Sequence, residues 1–461
     1  MPISLTRRRV VAGVGGTLAA AGAAPVLAAP HVDVDYHTRN LIFGTLDTHL
    51  EAIEALRERG GTDLIASLIL ALRFTRQDDA ALRQLMNQIA EDDGPQDWFD
   101  WMLWQEARPE VIPHPSHTGL KRDIYLRIDP NFDVFLNEDA LRRDRMKIRL
   151  EEITWGGVRK DGIPALTNPN LISAEEADYL VGSDFVFGVS INGDTRAYPL
   201  RIMGWHEMFN DVIGGVPLAL AYCTLCGAGI LFETQLEGRD KPMIFGSSGF
   251  LYRSNKLMYD QDTHSLWNQF TGRPVSGALV DSGIELRQRP VVIEPWVRWV
   301  ARNPDTKVLS LDTGYRRDYG SGVVYDKYFR SPNLMFPAQV DQTRLAQKDY
   351  VFGIRTFGGA KAWPVTAFEG GRVINDNVAG LNVVLVGDRL GRTVRAYDRG
   401  DRVFDATDNP GKVSSAGTGW TVTEEALLGP DGARAPRVAG HIAYWFAWDG
   451  YLGSRSEFYT E

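Results

Sequence analysis

The chain has 461 residues, 44% of them hydrophobic, enough for more than one ordinary domain with real cores. It carries 59 acidic against 50 basic side chains, a formal charge of -9, which argues against a nucleic-acid partner because such binding rests on Lys and Arg neutralising phosphates. Only two cysteines are present.

The first element is an address. Arg7-Arg8-Arg9 leads into a Gly/Ala-rich apolar run that closes on Val26-Leu27-Ala28, a small-residue cleavage pattern. Residues 1–28 read as a twin-arginine export signal, giving a periplasmic protein. The run is too short and too rich in Gly and Ala to span a membrane, so no stable insertion is expected after cleavage.

Residues 32–115 form an expected helical domain. Apolar residues recur at helical spacing: Leu50, Ile53 and Leu56, then Leu64, Leu68 and Leu72, then Leu82, Leu85, Met86 and Ile89. Gly60-Gly61 and Asp92-Asp93-Gly94-Pro95 break the helices. The cluster Trp98, Phe99, Trp101 and Trp104 would dock this domain on the strand-rich remainder of the chain. His114 and His117 fall in a Pro-rich connector and read as solvated, and a charged helix is expected near 140–152.

Beyond it the periodicity changes to that of strands. Phe185 to Ile191, then Asn192-Gly193, then Thr195 to Tyr198 is a hairpin pattern, since Asn-Gly suits the tight turn. A helix is expected over 201–210, then an apolar strand from Val216 into Cys223-Thr224-Leu225-Cys226-Gly227, then short strands at 230–233, 243–245 and 256–259. The order returns at a constant offset of 165 positions: Asp184-Phe185-Val186-Phe187-Gly188 matches Asp349-Tyr350-Val351-Phe352-Gly353, and Asn210-Asp211 matches Asn375-Asp376. The fold class is therefore α+β, mainly β: two tandem copies of a small β-rich module, 150–305 and 315–455, after the helical domain.

The chemistry is one-sided. At the same offset His206 becomes Gly371, Cys223 becomes Asp388 and Cys226 becomes Gly391, while Met258 becomes Ala396 by the separate local likeness of Met258-Tyr259-Asp260 to Ala396-Tyr397-Asp398. The first module thus carries the site and the second closes over it. Two thiolates, an imidazole and a thioether suit copper, with His206, Cys223, Cys226 and Met258 as ligands; two thiolates, an imidazole and water suit zinc. Glu207 and Asp211 are candidates to orient His206. Arg253 is a candidate substrate contact. A simple Cys223–Cys226 disulfide without metal is the alternative. A c-type haem is excluded, because Gly227 stands where that motif needs histidine. His264 reads as a turn residue and His441 as part of an aromatic core run.

Asp161-Gly162-Ile163-Pro164-Ala165-Leu166, Arg196-Ala197-Tyr198-Pro199-Leu200, Trp205-His206-Glu207 and Tyr222-Cys223-Thr224-Leu225-Cys226-Gly227 resemble a bacterial family, domain of unknown function 3179. Phe245-Gly246-Ser247-Ser248-Gly249-Phe250-Leu251-Tyr252 and Met258-Tyr259-Asp260 extend the likeness, which runs from about Asp161 to the C-terminus. Thr224 departs from the family pattern, which more often has proline there. The resemblance implies an exported protein with the His/Cys/Cys set as its signature and no settled activity. The expected function is a copper-dependent oxidoreductase or electron-transfer protein acting on a small molecule or a redox partner protein. The alternatives are a thiol–disulfide oxidoreductase using the Cys pair, or a non-enzymatic metal carrier or interaction platform.

Overall fold

The computed structural model describes residues 32–77 and 79–461, so the export signal expected at 1–28 lies outside the described residues. The change of periodicity divides the chain into two parts: a helical N-terminal region and a β-rich C-terminal region of several sheets.

The helical region opens with Val34–Phe43, Leu46–Arg59, Ile65–Phe74, Ala80–Ala90 and Trp98–Glu106. Asp33, Thr45 and Asp97 cap their helices by accepting a backbone N–H that would otherwise be orphaned. Ile53, Leu56, Leu64, Leu68, Leu82, Leu85, Met86 and Trp101 make one buried cluster. Leu50 departs from the expected face and is 48% exposed, while Ala52 turns inward in its place.

Two expectations for the connector are corrected. Ser116–Ile128 is a helix, and His117 on it is buried with Nδ1 3.2 Å from the Ser67 hydroxyl. One turn later Lys121 is buried and donates to the Leu150 carbonyl at 2.6 Å, which fastens the helix to the β-rich region. Residues 140–152 are turns ending in a short 3₁₀ segment, Leu150–Glu152, rather than a charged helix. Arg145 and Lys147 converge on Asp281, far along the chain, while Arg143 pairs with Glu151 within the segment. Distant partners override the local helical pattern.

In the β-rich region Phe185–Ile191 and Asp194–Pro199 form the expected hairpin, with Asn192 and Gly193 both at positive φ. Val292–Pro295 adds antiparallel on one edge and Lys307–Leu309 parallel on the other. Further on, Tyr350–Arg355 and Ala360–Pro364 pair antiparallel, with His441–Tyr444 antiparallel on one edge and Ser456–Phe458 parallel on the other. The helix expected over 201–210 spans only Leu200–His206. Glu207 breaks it at φ 53°, and Met208–Ile213 continues as a strand. That strand pairs with Val216–Cys223, which pairs with Ala228–Glu233.

One large apolar cluster joins the helical region to both halves of the β-rich region, the strands before and those after residues 311–348. It holds Leu120 and Phe132 of the helical region, Cys223, Cys226 and Met258 of the first β half, and Tyr444 and Trp448 of the second. No helix among the described residues is long and apolar enough to cross a membrane.

Candidate functional site

The two cysteines sit in the loop joining Val216–Cys223 to Ala228–Glu233, where Cys223 is the last paired residue and faces Ala228. The loop curls because the Cys226 N–H returns to the Cys223 carbonyl at 3.2 Å and Gly227 takes φ 59°. A side chain at Gly227 would press on the rings of Tyr350 and Tyr444, so glycine is needed twice over. Cys223 and Cys226 are joined in a disulfide, with Cα atoms 5.3 Å apart, and both are buried. The Tyr444 N–H donates to the Cys226 carbonyl at 2.8 Å, so the second β half lies directly on the knuckle.

A buried polar cluster is attached to the same loop. The hydroxyl of Thr224, between the cysteines, donates to Glu207 at 2.8 Å, and Lys256 Nζ lies 3.0 Å from the other Glu207 oxygen. Glu207 also holds backbone: its carbonyl accepts the Tyr222 N–H at 2.7 Å. A buried ion pair of this kind survives only when its remaining bonding capacity is met, which Thr224 helps to do. The Cys226 sulfur lies 3.5 Å from the Ser254 carbonyl oxygen. Ser254 and Arg253 form a tight hairpin turn with φ 59° and 49°, an arrangement that usually calls for Asn or Gly. Beside it the Ser254 hydroxyl and both polar atoms of the Asn255 side chain are buried without a partner among the described residues. Gln269 bridges the Ala221 and Ala228 carbonyls at 2.8 and 3.1 Å, tying together the strands that flank the loop.

Residues 311–348, which connect the two β halves, cover this region as a strap with one short helix, Asp326–Arg330. Tyr328 donates to the Leu225 carbonyl at 2.6 Å, and Lys348 donates to the carbonyls of Tyr328 and Ser331. Burial holds the Lys348 ammonium down to about 8. Tyr319 is 2.6 Å from Nε2 of His206, and Nδ1 of that ring is 2.9 Å from the Pro164 carbonyl. Since a carbonyl can only accept, Nδ1 carries the proton and Nε2 accepts from Tyr319. Burial, the largest cause, lowers the His206 pKa, and Arg317 adds to it.

The donor atoms that the motif groups together have other partners in the structure. His206 spends both nitrogens on Pro164 and Tyr319, and the two sulfurs are bonded to each other. Met258 lies buried on the Asn255–Asp260 strand, paired in register with Trp267 and Ser247. Among the described residues no group of three or more His, Cys, Asp or Glu is arranged to hold a metal. The expected copper or zinc set of His206, Cys223, Cys226 and Met258 is not assembled here, and these contacts do not fit either ion. Asp211 pairs with Arg196 at 2.7 Å and accepts from Tyr198 at 2.8 Å rather than orienting His206. Glu207 serves Thr224 and Lys256. Arg253 is bound to Glu152 at 2.6 Å and Glu106 at 3.4 Å, anchoring the helical region, and burial pushes Glu106 up to about 7. Asn255, which beside Arg253 also reads from the sequence as a candidate substrate contact, is instead fully buried, and Lys256 was not singled out from the sequence. The signal for Lys256 was a charged residue at the head of a strand whose centre, Leu257 to Tyr259, is apolar.

Comparison with the curated proteins and with the solved structures returned no match. The stretch that holds the knuckle, the Glu207 cluster and the strap does match a family model, the one described as Protein of unknown function (DUF3179), over residues 160–455. That span is well over half of the chain, and the protein belongs to this family.

Proposed function

We propose that Cys223 and Cys226 are the redox centre of a thiol–disulfide oxidoreductase, closed in this conformation by the 311–348 strap. The observation that carries the reading is the bonded pair itself, set in a hairpin loop whose own Thr224 is tied to the buried Glu207–Lys256 pair. An incoming thiolate attacks one sulfur and forms a mixed disulfide, and the thiol of the other cysteine is released. A second thiol of the same reductant then displaces the protein sulfur. Two electrons and two protons enter, the protein leaves as a dithiol, and the partner leaves as a disulfide. Glu207 and Lys256 are the ionisable pair attached to the loop and are suited to handling those protons. The reductant is a small dithiol or a redox partner protein. Export on the 1–28 signal would put the centre where a disulfide persists.

Burial is the main argument for a gate, since a covered disulfide exchanges slowly. The test is exchange with dithiothreitol in the folded protein, followed by mass after alkylation. Cys223→Ser and Cys226→Ser should each abolish it while keeping the native circular dichroism. If the bond in the native protein resists reduction down to about -300 mV and opens only with global unfolding, the disulfide is structural and the reading fails. Copper or zinc retained at about one equivalent by the reduced protein would instead restore the metal reading.

We further propose that the two β halves are copies of one module. Trp299 packs over Gly188 and Trp448 over Gly353, positions related by the 165-residue offset on the glycine side. Asn210 exchanges two hydrogen bonds with the Phe245 backbone, and Asn375 does the same with Phe404. Asp211 accepts from Tyr198 as Asp376 accepts from Trp363.

A further inference from the structure

A cleft of about 750 Å³ opens between the Trp296–Arg302 helix of the first β half, the Arg372–Val378 and Leu381–Asp388 strands of the second, and the turn at residues 406–412. Its size falls within the range of small-molecule sites. At the 165-residue offset it occupies the counterpart of the knuckle. Gly371 and Asp388, which stand where His206 and Cys223 would be, both line it.

The lining is cationic in a chain of net negative charge. Three of its arginines are already neutralised: Arg298 by Asp388, Arg372 by Glu461 at 2.5 Å, and Arg395 by Glu294 and Glu424, both at 2.7 Å. Arg302 is different. Its guanidinium is half-buried and has no ion pair or hydrogen bond among the described residues, and its Nε is fully covered with no acceptor. The carboxylates in its field, Glu294 and Glu424, are both bonded to Arg395. Desolvation lowers the Arg302 pKa, and Arg395 lowers it further. A guanidinium withdrawn from water without an acceptor costs free energy that an anionic ligand would return. Lys412, exposed at the turn, also has no ion pair among the described residues, and Asp408 beside it is the exposed acid of the lining. Ala301, Val373, Val386 and Val422 give the cleft apolar walls.

We infer that this cleft binds a small organic anion, a carboxylate or phosphate on an apolar body, gripped by the free fork of Arg302. Arginine suits both groups because its planar donors match two oxygens at once. The site is separate from the disulfide knuckle and does not depend on the redox reading.

The test titrates the full-length chain with benzoate, phenyl phosphate and benzyl alcohol by calorimetry. At least one of the anions should bind about ten- to a hundredfold more tightly than the neutral alcohol, and Arg302→Gln should remove that advantage. Arg302→Gln should keep the fold because Arg302 holds no partner among the described residues, and Lys412→Gln should weaken binding severalfold as a second, exposed variant. Preference for benzoate identifies a carboxylate ligand, and preference for phenyl phosphate identifies a phosphate. The inference is overturned if neither anion binds at about 10 mM, a free energy weaker than about 3 kcal/mol. It is equally overturned if benzyl alcohol binds as well as the anions, or if Arg302→Gln leaves anion binding unchanged.

Discussion

The Tyr319 hydroxyl lies 2.6 Å from Nε2 of His206, and with the bonds from Arg201 to the Tyr319 carbonyl and from Trp205 to the Asp318 carbonyl it ties the strap to the helix that leads into the Glu207 cluster. Tyr319→Phe deletes the donor and leaves a buried nitrogen unpaired, at about 1–3 kcal/mol. If the strap gates the disulfide, that loss appears in the opening equilibrium, and dithiothreitol should reduce Cys223–Cys226 on the order of tenfold faster. An unchanged reduction rate in Tyr319→Phe would separate the strap from the redox centre.

Lys256 and Glu207 are buried together, so removing one should cost more than removing both. Lys256→Met leaves the Glu207 carboxylate uncompensated and should lower stability by about 3–5 kcal/mol. Lys256→Met combined with Glu207→Gln should recover most of that loss, as measured in urea by a double-mutant cycle. Additive losses would mean that the two side chains do not act as a pair.

Gly188 and Gly353 each lie beneath a tryptophan ring, and a methyl group at either would sit 2.2 Å from Trp299 or 1.9 Å from Trp448. These contacts are far inside van der Waals distance, and both tryptophans are fully buried with little room to retreat. Gly188→Ala and Gly353→Ala should each destabilise the fold by about 1–3 kcal/mol or more. The duplication reading expects similar costs. A tolerated Gly188→Ala beside a non-folding Gly353→Ala would count against it.

His441 gives a pH prediction with a definite sign. Burial, aided by the Arg355 charge, holds its pKa down to about 3, against about 6.5 in an unfolded chain. Its neutral form is favoured only in the folded state, so its contribution is full above pH 6.5 and is lost as pH falls toward 3. The slope is at most about 1.4 kcal/mol per pH unit. Glu106 works in the opposite direction between about 4.5 and 7, so the comparison must be between variants. The stability advantage of wild type over His441→Gln, from urea unfolding at pH 7, 6, 5 and 4, should shrink as pH falls. A constant difference would show that His441 does not titrate in this window.

Much of the architecture was legible because it rests on local chemistry. Asn192-Gly193 specifies a hairpin through positive φ and appears as read, and Gly227, also at positive φ, lets the Cys loop curl. The helix after Pro199 was read too long because the break at Glu207 is held by long-range bonds: its carbonyl to Tyr222 and its carboxylate to Thr224 and Lys256. His117 read as solvated because nothing near it in sequence reveals Ser67, fifty residues upstream, as its partner.

The sequence by itself determined that both cysteines, His206 and Glu207 fall between residues 206 and 226, with Gly371, Arg372, Asp388 and Gly391 standing 165 positions on. It also determined the change from helical to strand periodicity, because both signals repeat within a few residues. Only the tertiary structure decided which of those side chains meet. A histidine seventeen positions from a cysteine can turn its ring toward the sulfurs or toward Pro164 and Tyr319, and spacing along the chain does not distinguish the two. The choice depends on where residues 311–348 lie, and they supply the hydroxyl that occupies the imidazole and a second hydroxyl that bonds the Leu225 carbonyl within the Cys loop.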